Sequence, residues 1–390
     1  MVARRPPNRK ELIRAGATEL FLQRGYHNVS VADVADALGI TASALYHHYR
    51  NKQDLLLQVV LGGLDTVDDL IRRADGLDAA LRELAALVVG PRRTVAMWER
   101  QARHLDPAQR EVLVARQAEV VAHLVPLLRG ARPGLSDADG ELIARAVLGV
   151  FGSPARHRLT LPRRRHENLL FRLGAIAAHS ELPKRELLPD HSDQGRRGTT
   201  AGLRPPRRDQ LLTEAIRLFD ERGYSSVAMS DIGAAAGIVA SGVYRHFANK
   251  TDLLVAATNR AAERVRASAE QAMTEAADPR EALELLLGAH VTLVIDQRHL
   301  VGILVTESDQ LPERERTALR RLQSDYLEIW VQALRSARPD RDPTELKIVI
   351  HAVQATIYFV VRSGHVALRP DLDGAWLTHL GLALLLGGRG

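Results

Sequence analysis

Cysteine is absent from all 390 residues, which excludes disulfides, thiolate metal sites and cysteine nucleophiles. Aromatic residues make up only 4% of the chain, and short runs of β-branched residues bounded by Gly or Pro are hard to find. Ala, Leu and Arg are abundant instead, a composition that favours helices, so an all-α fold is expected. No apolar run of membrane-spanning length is uninterrupted; the best, 346–361, is broken by Lys347, His351 and Gln354. The first ten residues are basic and proline-containing, with no apolar stretch behind them, so they do not read as a secretory signal and a cytoplasmic protein is expected. Catalytic motifs are missing as well. There is no Walker phosphate loop, no His-Glu-x-x-His helix and no Gly-x-Ser-x-Gly elbow, and His166 followed by Glu167 lacks a second histidine. An enzyme is therefore not expected, nor is a cofactor or a metal; Asp137 and Asp139 after Ser136 read as helix-start chemistry, because a calcium loop needs more oxygen ligands at fixed spacing.

What is present is apolar and mildly basic. Hydrophobic residues are 46% of the chain, enough for substantial cores, and the length calls for two domains or one large one. The net charge is +6, with a pI near 9.8, which is compatible with nucleic acid without requiring it.

The chain repeats itself. Residues 9–60 align with 207–258 at a constant offset of 198 without a gap, and 21 of the 52 positions are identical. Further on, Leu105, Arg110, Leu128 and Arg129 meet Leu311, Arg316, Leu334 and Arg335 at an offset of 206, so about eight residues are added in the second copy. A stretch rich in Pro, Gly, Ser, Thr and charge, 183–206, separates the copies and reads as an exposed linker of at most about 80 Å. The expected organisation is a head at 1–60, a body at 61–182, the linker, a second head at 207–258 and a second body at 259–390.

Each head reads as a helix-turn-helix. Leu12, Ile13, Ala17, Leu20 and Phe21 form one apolar stripe of a helix over 9–24, which stops at Gly25. Ser30 and Asp33 form a capping box for a second helix over 31–38. Gly39 supplies a tight turn, Ile40 plugs the angle, and Thr41 caps a third helix over 42–49 that buries Leu45. Ala42, Ser43, Tyr46 and His47 are then left facing outward. Small residues at the start of this helix let its backbone approach base edges in a major groove. The donors of Tyr46, His47, His48 and Lys52 have spacings suited to phosphate oxygens. In the second copy the same roles fall to Ala240, Ser241, Tyr244, Arg245, His246 and Lys250. Basic arms, with Arg4 and Arg5 before the first head and Arg207 and Arg208 at the second, can lie along a duplex.

These residues resemble the TetR-family signature: Gly25 and Tyr26, Asp33 to Ala35, Leu38 to Ile40, Leu45 to Tyr49, and Asn51 and Lys52, with the series repeated from Gly223 to Lys250. Across its length the chain is similar to tandem TetR regulators of actinobacteria, notably the kind that represses a mammalian-cell-entry operon in mycobacteria, through the duplication and the stretch from Trp98 to Leu105. The resemblance implies two all-helical units of about nine helices each. It also implies double-stranded operator DNA as partner, and repression relieved by a small, lipid-like or acyl-coenzyme A effector. Ordinary members dimerise through the last helices of the body, here 163–178 and 371–386 with the preceding 141–151 and 344–361. Their pairing within one chain would make an intramolecular pseudo-dimer, with further self-association open.

The copies depart from the pattern differently. Val239 replaces Thr41, Ala228 replaces Ser30, Gly242 replaces Ala44 and Arg245 replaces His47, so unequal half-sites and an asymmetric operator are expected. Effector-binding candidates are Trp98, Arg103, His104, His123 and Phe151 in the first body, and Glu307, Tyr326, Trp330, His351, Gln354 and Tyr358 in the second. The alternatives are a DNA-binding activator with the same heads, or a ligand-sequestering protein whose heads are degenerate.

Overall fold

The computed structural model describes residues 9–90, 105–182, 206–362 and 374–388, and every element among them is a helix or a short 3-10 turn, with no strand. The apolar stripes recur at helical spacing throughout, so each helix can bury one face against its neighbours. Contacts divide the chain into two units. The first comprises 1–144 and 151–171; the second comprises 145–150 and 172–390.

The first unit opens with α1 (Arg9–Arg24), a 3-10 turn at Tyr26–Asn28, α2 (Val31–Ala37) and α3 (Ala42–Tyr46). The head packs on the long α4 (Lys52–Arg73) through Ile13, Ala17, Phe21, Leu45, Leu55 and Leu56, all buried. The chain continues with α5 (Leu77–Val89), α6 (Pro107–Ala131), α7 (Asp137–Gly152) and α8 (Arg163–Ala178), of which residues 145–150 of α7 and 172–178 of α8 belong to the second unit. The effector candidates Trp98, Arg103 and His104 and the arm residues Arg4 and Arg5 lie outside the described residues.

The third helix ends at Tyr46, earlier than the 42–49 expected from the pattern. His48 and Tyr49 both turn their N–H groups back to the Leu45 carbonyl, at 2.9 and 3.0 Å. That closing turn swings the Tyr49 ring into the core, where its hydroxyl donates to the Lys10 carbonyl at 2.9 Å.

The second unit repeats the order with α9 (Arg207–Arg222), a 3-10 turn at Tyr224–Ser226, α10 (Met229–Ala235), α11 (Ala240–Tyr244) and α12 (Lys250–Glu275). Then come α13 (Pro279–Asp296), α14 (Arg298–Thr306), α15 (Glu313–Ala337), α16 (Pro343–Arg362) and α17 (Ala375–Leu386). The helix α16 has the length and apolarity to cross a membrane, but it is 72% buried inside the unit, so its apolar surface is satisfied by neighbouring helices. Within this unit a Cβ on Gly149 would stand 2.7 Å from Thr356 Cα, a close approach of backbones that only glycine permits. Arg172 lies 3.6 Å from the buried Glu345.

Candidate nucleic-acid interface

In both heads the turn between the second and third helices rests on a glycine in the left-handed region, Gly39 (φ 63°) and Gly237 (φ 69°). Ile40 N–H then donates to Ala35 O at 3.0 Å and Ile238 N–H to Gly233 O at 2.9 Å, which fixes the third helix across the second. What faces outward follows from that frame. Tyr46 is 52% exposed and Tyr244 55%, with Ser43, His47 and His48, and Ser241, Arg245 and His246, exposed beside them. Ala42 and Ala240 are half-buried at the helix starts, where their small side chains leave the backbone accessible.

The third helices of the two heads begin differently. Thr41 Oγ1 accepts the Ala44 N–H at 3.1 Å, a side-chain cap. Val239 has the same extended backbone but no side-chain cap, and its isopropyl group is 73% exposed. The second helices differ in the same sense. Ser30 makes a reciprocal capping box: Asp33 N–H donates to Ser30 Oγ at 3.0 Å and Ser30 N–H to Asp33 Oδ2 at 2.6 Å. The Ser30 hydroxyl and backbone hold the Asp33 carboxyl below its ordinary range. At Ala228 only the backbone half survives, with Ala228 N–H donating to Asp231 Oδ2 at 2.8 Å.

Behind each third helix a lysine starts the long helix, capped by Asn51 or Asn249. Lys52 Nζ sits 4.1 Å above the Tyr26 ring, and Lys250 Nζ 4.4 Å above Tyr224. Burial lowers both ammonium pKa values, opposed by the charge of Asp33 at the first and of Glu307 at the second. Lys250 is further committed: it donates to the carbonyls of Tyr224 at 2.7 Å and Val227 at 2.9 Å. Among the described residues Lys52 makes no comparable carbonyl bonds. Arg207 donates to Gln210 Oε1 and to the Ala236 carbonyl, tying the start of α9 to the end of α10. Arg208 lies 4.6 Å over the Phe247 ring.

The body candidates scatter. His123 is paired through Nδ1 with Asp68 Oδ1 at 2.6 Å, and Phe151 is buried in the first unit. Glu307 is buried at the end of α14, where its charge acts on Lys250 of the head. Tyr358 stacks under Arg362 at 5.9 Å, while His351 and Gln354 lie half-buried on α16. Tyr326 and Trp330 do come together, with ring centroids 6.2 Å apart.

Besides Glu345, which Arg172 and Arg341 approach, two carboxylates with buried side chains escaped the sequence reading. Asp68, 2% exposed, is bound by Arg116 at 2.8 Å as well as by His123, and joins α4 to α6. Asp220 on α9 takes Arg362 Nη1 at 2.6 Å and faces His299 Nδ1 at 2.9 Å, so it joins the second head to α14 and α16 of its body. The only signal for Asp220 was that Leu22 stands at the matching position of the first copy.

Comparison with known proteins follows these heads. The model of the family described as "Bacterial regulatory proteins, tetR family" matches residues 13–59 and again 211–257. A relative in Rhodococcus jostii, the HTH-type transcriptional repressor KstR2, is 26% identical over 160 residues, 40% of this chain and 78% of its own length. The HTH-type transcriptional activator FasR of Mycolicibacterium smegmatis is 33% identical over 95 residues, 24% of this chain and 43% of its own length. Among solved structures, a TetR-family transcriptional regulator from Bordetella parapertussis matches with 21% identity and a TM-score of 0.42, over 46% of this chain and 93% of that one.

Proposed function

Because the chain belongs to the tetR family of bacterial regulatory proteins through both of its heads, we propose that it is a repressor that grips an asymmetric operator with two unlike recognition helices and lets go when a small effector binds a body. DNA-binding regulation is the shared business of the family; the asymmetry and the release are the reading specific to this chain. The observation that carries it is the pair of heads. They share backbone geometry down to the turn glycines, yet they expose Thr41 and His47 on one and Val239 and Arg245 on the other. Base edges are read by such outward side chains, whereas phosphate contacts only position the protein. Two different readers joined in one chain prefer two different half-sites.

The phosphate-positioning set is Ser43, Tyr46, His48 and Lys52 in the first head and Ser241, Tyr244 and His246 in the second, with the arm at Arg4 and Arg5 and the helix start at Arg207 and Arg208. The second unit's inclusion of 145–150 and 172–182 supports pairing of the two bodies within one chain, since it sets these first-copy segments among second-copy helices at Gly149 and Arg172. Analytical ultracentrifugation tests that pairing, and an obligate two-chain dimer would overturn it. Release is transmitted in the second unit through Asp220, which ties α9 of the head to α14 and α16 of the body.

Footprinting of the purified chain on its own upstream DNA across a salt series tests the whole reading. A protected two-part site whose halves differ in sequence supports it; matching base preferences in the two halves refute the asymmetry. Weak, sequence-independent binding favours the ligand-sequestering alternative. FasR is named an activator and KstR2 a repressor, so the sign of regulation is read separately, from reporter output with and without the chain.

A further inference from the structure

The second body contains a polar cluster that its apolar surroundings do not satisfy. His290 on α13 meets Tyr326 and Trp330 on α15, with its Nδ1 at 3.0 Å from the Tyr326 hydroxyl. The His290 ring stands edge-on to Trp330 at 5.8 Å between centroids, and Tyr326 meets Trp330 edge-on at 6.2 Å. Trp330 is fully buried. Two nitrogen atoms in this cluster, His290 Nε2 and Trp330 Nε1, are buried without a hydrogen-bond partner among the described residues.

A proton count shows what is missing. A neutral imidazole, a phenol and an indole bring three donors, and the His290–Tyr326 bond consumes one. In either imidazole tautomer two donors are left over against one free acceptor. Burial holds His290 neutral, with its pKa pushed down to about 4, and pushes the Tyr326 phenol up; the nearby Trp330 N–H partly offsets the latter without closing a bond. The cluster therefore has N–H groups to give and no positive charge. A buried donor without a partner is costly, and an incoming acceptor recovers that cost. A carboxylate brought to the same place would be desolvated with no cation to meet it, a far larger cost.

We infer that the second body carries an effector site at His290, Tyr326 and Trp330 for an uncharged, largely apolar molecule that presents one accepting oxygen, a ketone or ester carbonyl above all. This inference rests on the effector-release reading above and narrows it to one body and one ligand chemistry. In the register that aligns Leu105 with Leu311 and Leu128 with Leu334, the first body has Val120 and Leu124 where the second has Tyr326 and Trp330. Both are buried aliphatics without a polar atom, so the first body has no such donors to offer at these positions. The site is also placed to act. The helix carrying His290 runs directly into α14, whose His299 faces Asp220 of the head.

The test uses the full chain, with thermal shift and calorimetry at pH 7.5. The probes are 2-decanone, cyclododecanone and methyl decanoate against decanoate and decylammonium. At least one carbonyl probe is expected to bind, more tightly than decanoate, and to lose about tenfold in affinity in Trp330→Phe and in His290→Phe. The inference is overturned if no carbonyl probe binds, if decanoate binds as tightly as the carbonyls, or if both variants keep wild-type affinity; the two nitrogens then hold a structural water only. Operator binding of the same variants, measured by anisotropy, shows that they are folded. For a variant that fails that check, the wild-type contrast between ketone and carboxylate still decides. Operator binding without ligand binding sinks the site and spares the regulator; ligand binding without operator binding does the reverse.

Discussion

Exchanging the caps of the two recognition helices isolates a single hydrogen bond. Thr41 (φ −78°, ψ 149°) and Val239 (φ −74°, ψ 153°) hold the same backbone conformation at the same position of the same motif. Valine and threonine are both β-branched and nearly isosteric, so χ1 freedom changes little between them. Val239 is 73% exposed, so Val239→Thr sacrifices almost no burial. What the change offers is a side-chain acceptor for the Gly242 N–H, as Thr41 provides for Ala44 at 3.1 Å, in exchange for the 2.9 Å bond that this N–H makes to the Val239 carbonyl, so the gain falls toward the lower end of the capping range. A threonine cap stabilises by about 1 kcal/mol, within a range of roughly 0.5–2. For a cooperative unit of the size of the second one, each 1 kcal/mol corresponds to about 2–4 °C in Tm. Thr41→Val should cost the first unit the same amount. Urea unfolding of both variants should shift the midpoints in opposite directions at unchanged m-values. A neutral or destabilising Val239→Thr would refute the argument, because it would show that the short helix is held by packing on Val243 and the turn alone. The same exchange should alter base preference in the half-site of the mutated head and leave the other half unchanged.

Four further outcomes follow from other contacts. Asp68→Ala should destabilise the first unit by about 2–4 kcal/mol, the lower end reflecting the partial exposure of Arg116 and His123, as read by thermal unfolding. Hydrogen bonds from His123 and Arg116 outweigh burial and hold the Asp68 carboxyl below its ordinary range, so its contribution is present above about pH 4 and is lost as pH falls through the folded value. Stability measured from pH 5 downward should therefore be flatter in the variant. His290 has the opposite chemistry: with a folded pKa near 4 against about 6.5 unfolded, the unfolded chain takes up a proton first, so stability declines as pH drops through that window and His290→Phe removes the decline. Asp220→Leu, which installs the residue type of the first copy, should leave operator binding near wild type and blunt effector release in footprints of the second half-site. Lys52→Ala should shallow the salt slope of operator binding by about 0.9, the release of one phosphate contact, whereas Lys250→Ala should instead lower the Tm of the second unit by freeing the carbonyls of its turn.

The heads were legible in the chain because their determinants are local. Gly39 and Gly237 need a left-handed backbone, Ser30 and Asp33 cap within one turn, and Leu45 or Val243 buries against the preceding helix, all inside about twenty residues. The duplication then said everything twice, so each substitution between copies could be read as a departure. Ala228 and Val239 were recognisable as lost caps for that reason. The end of the third helix was misjudged because the aromatic at Tyr49 continues the helical spacing while its hydroxyl seeks a carbonyl 39 residues away, at Lys10.

The bodies were legible only as helices. Their amphipathic periodicity determines that each helix has a face to bury, but not which helix it meets, since many pairings bury similar apolar area. Tyr326 and Trp330, one turn apart, could be noticed in the chain; His290, 36 residues earlier, joins them only because α13 packs on α15. The same holds for Asp68 with Arg116 and for Asp220 with Arg362, 142 residues distant. The sequence by itself determined two helix-turn-helix heads and their inequality, through turns and caps whose partners lie within a few residues. Tertiary structure alone decided which buried charges are paired, which buried donors are left without an acceptor, and hence where a head is tied to its body, because those energies depend on through-space distance between groups far apart in the chain.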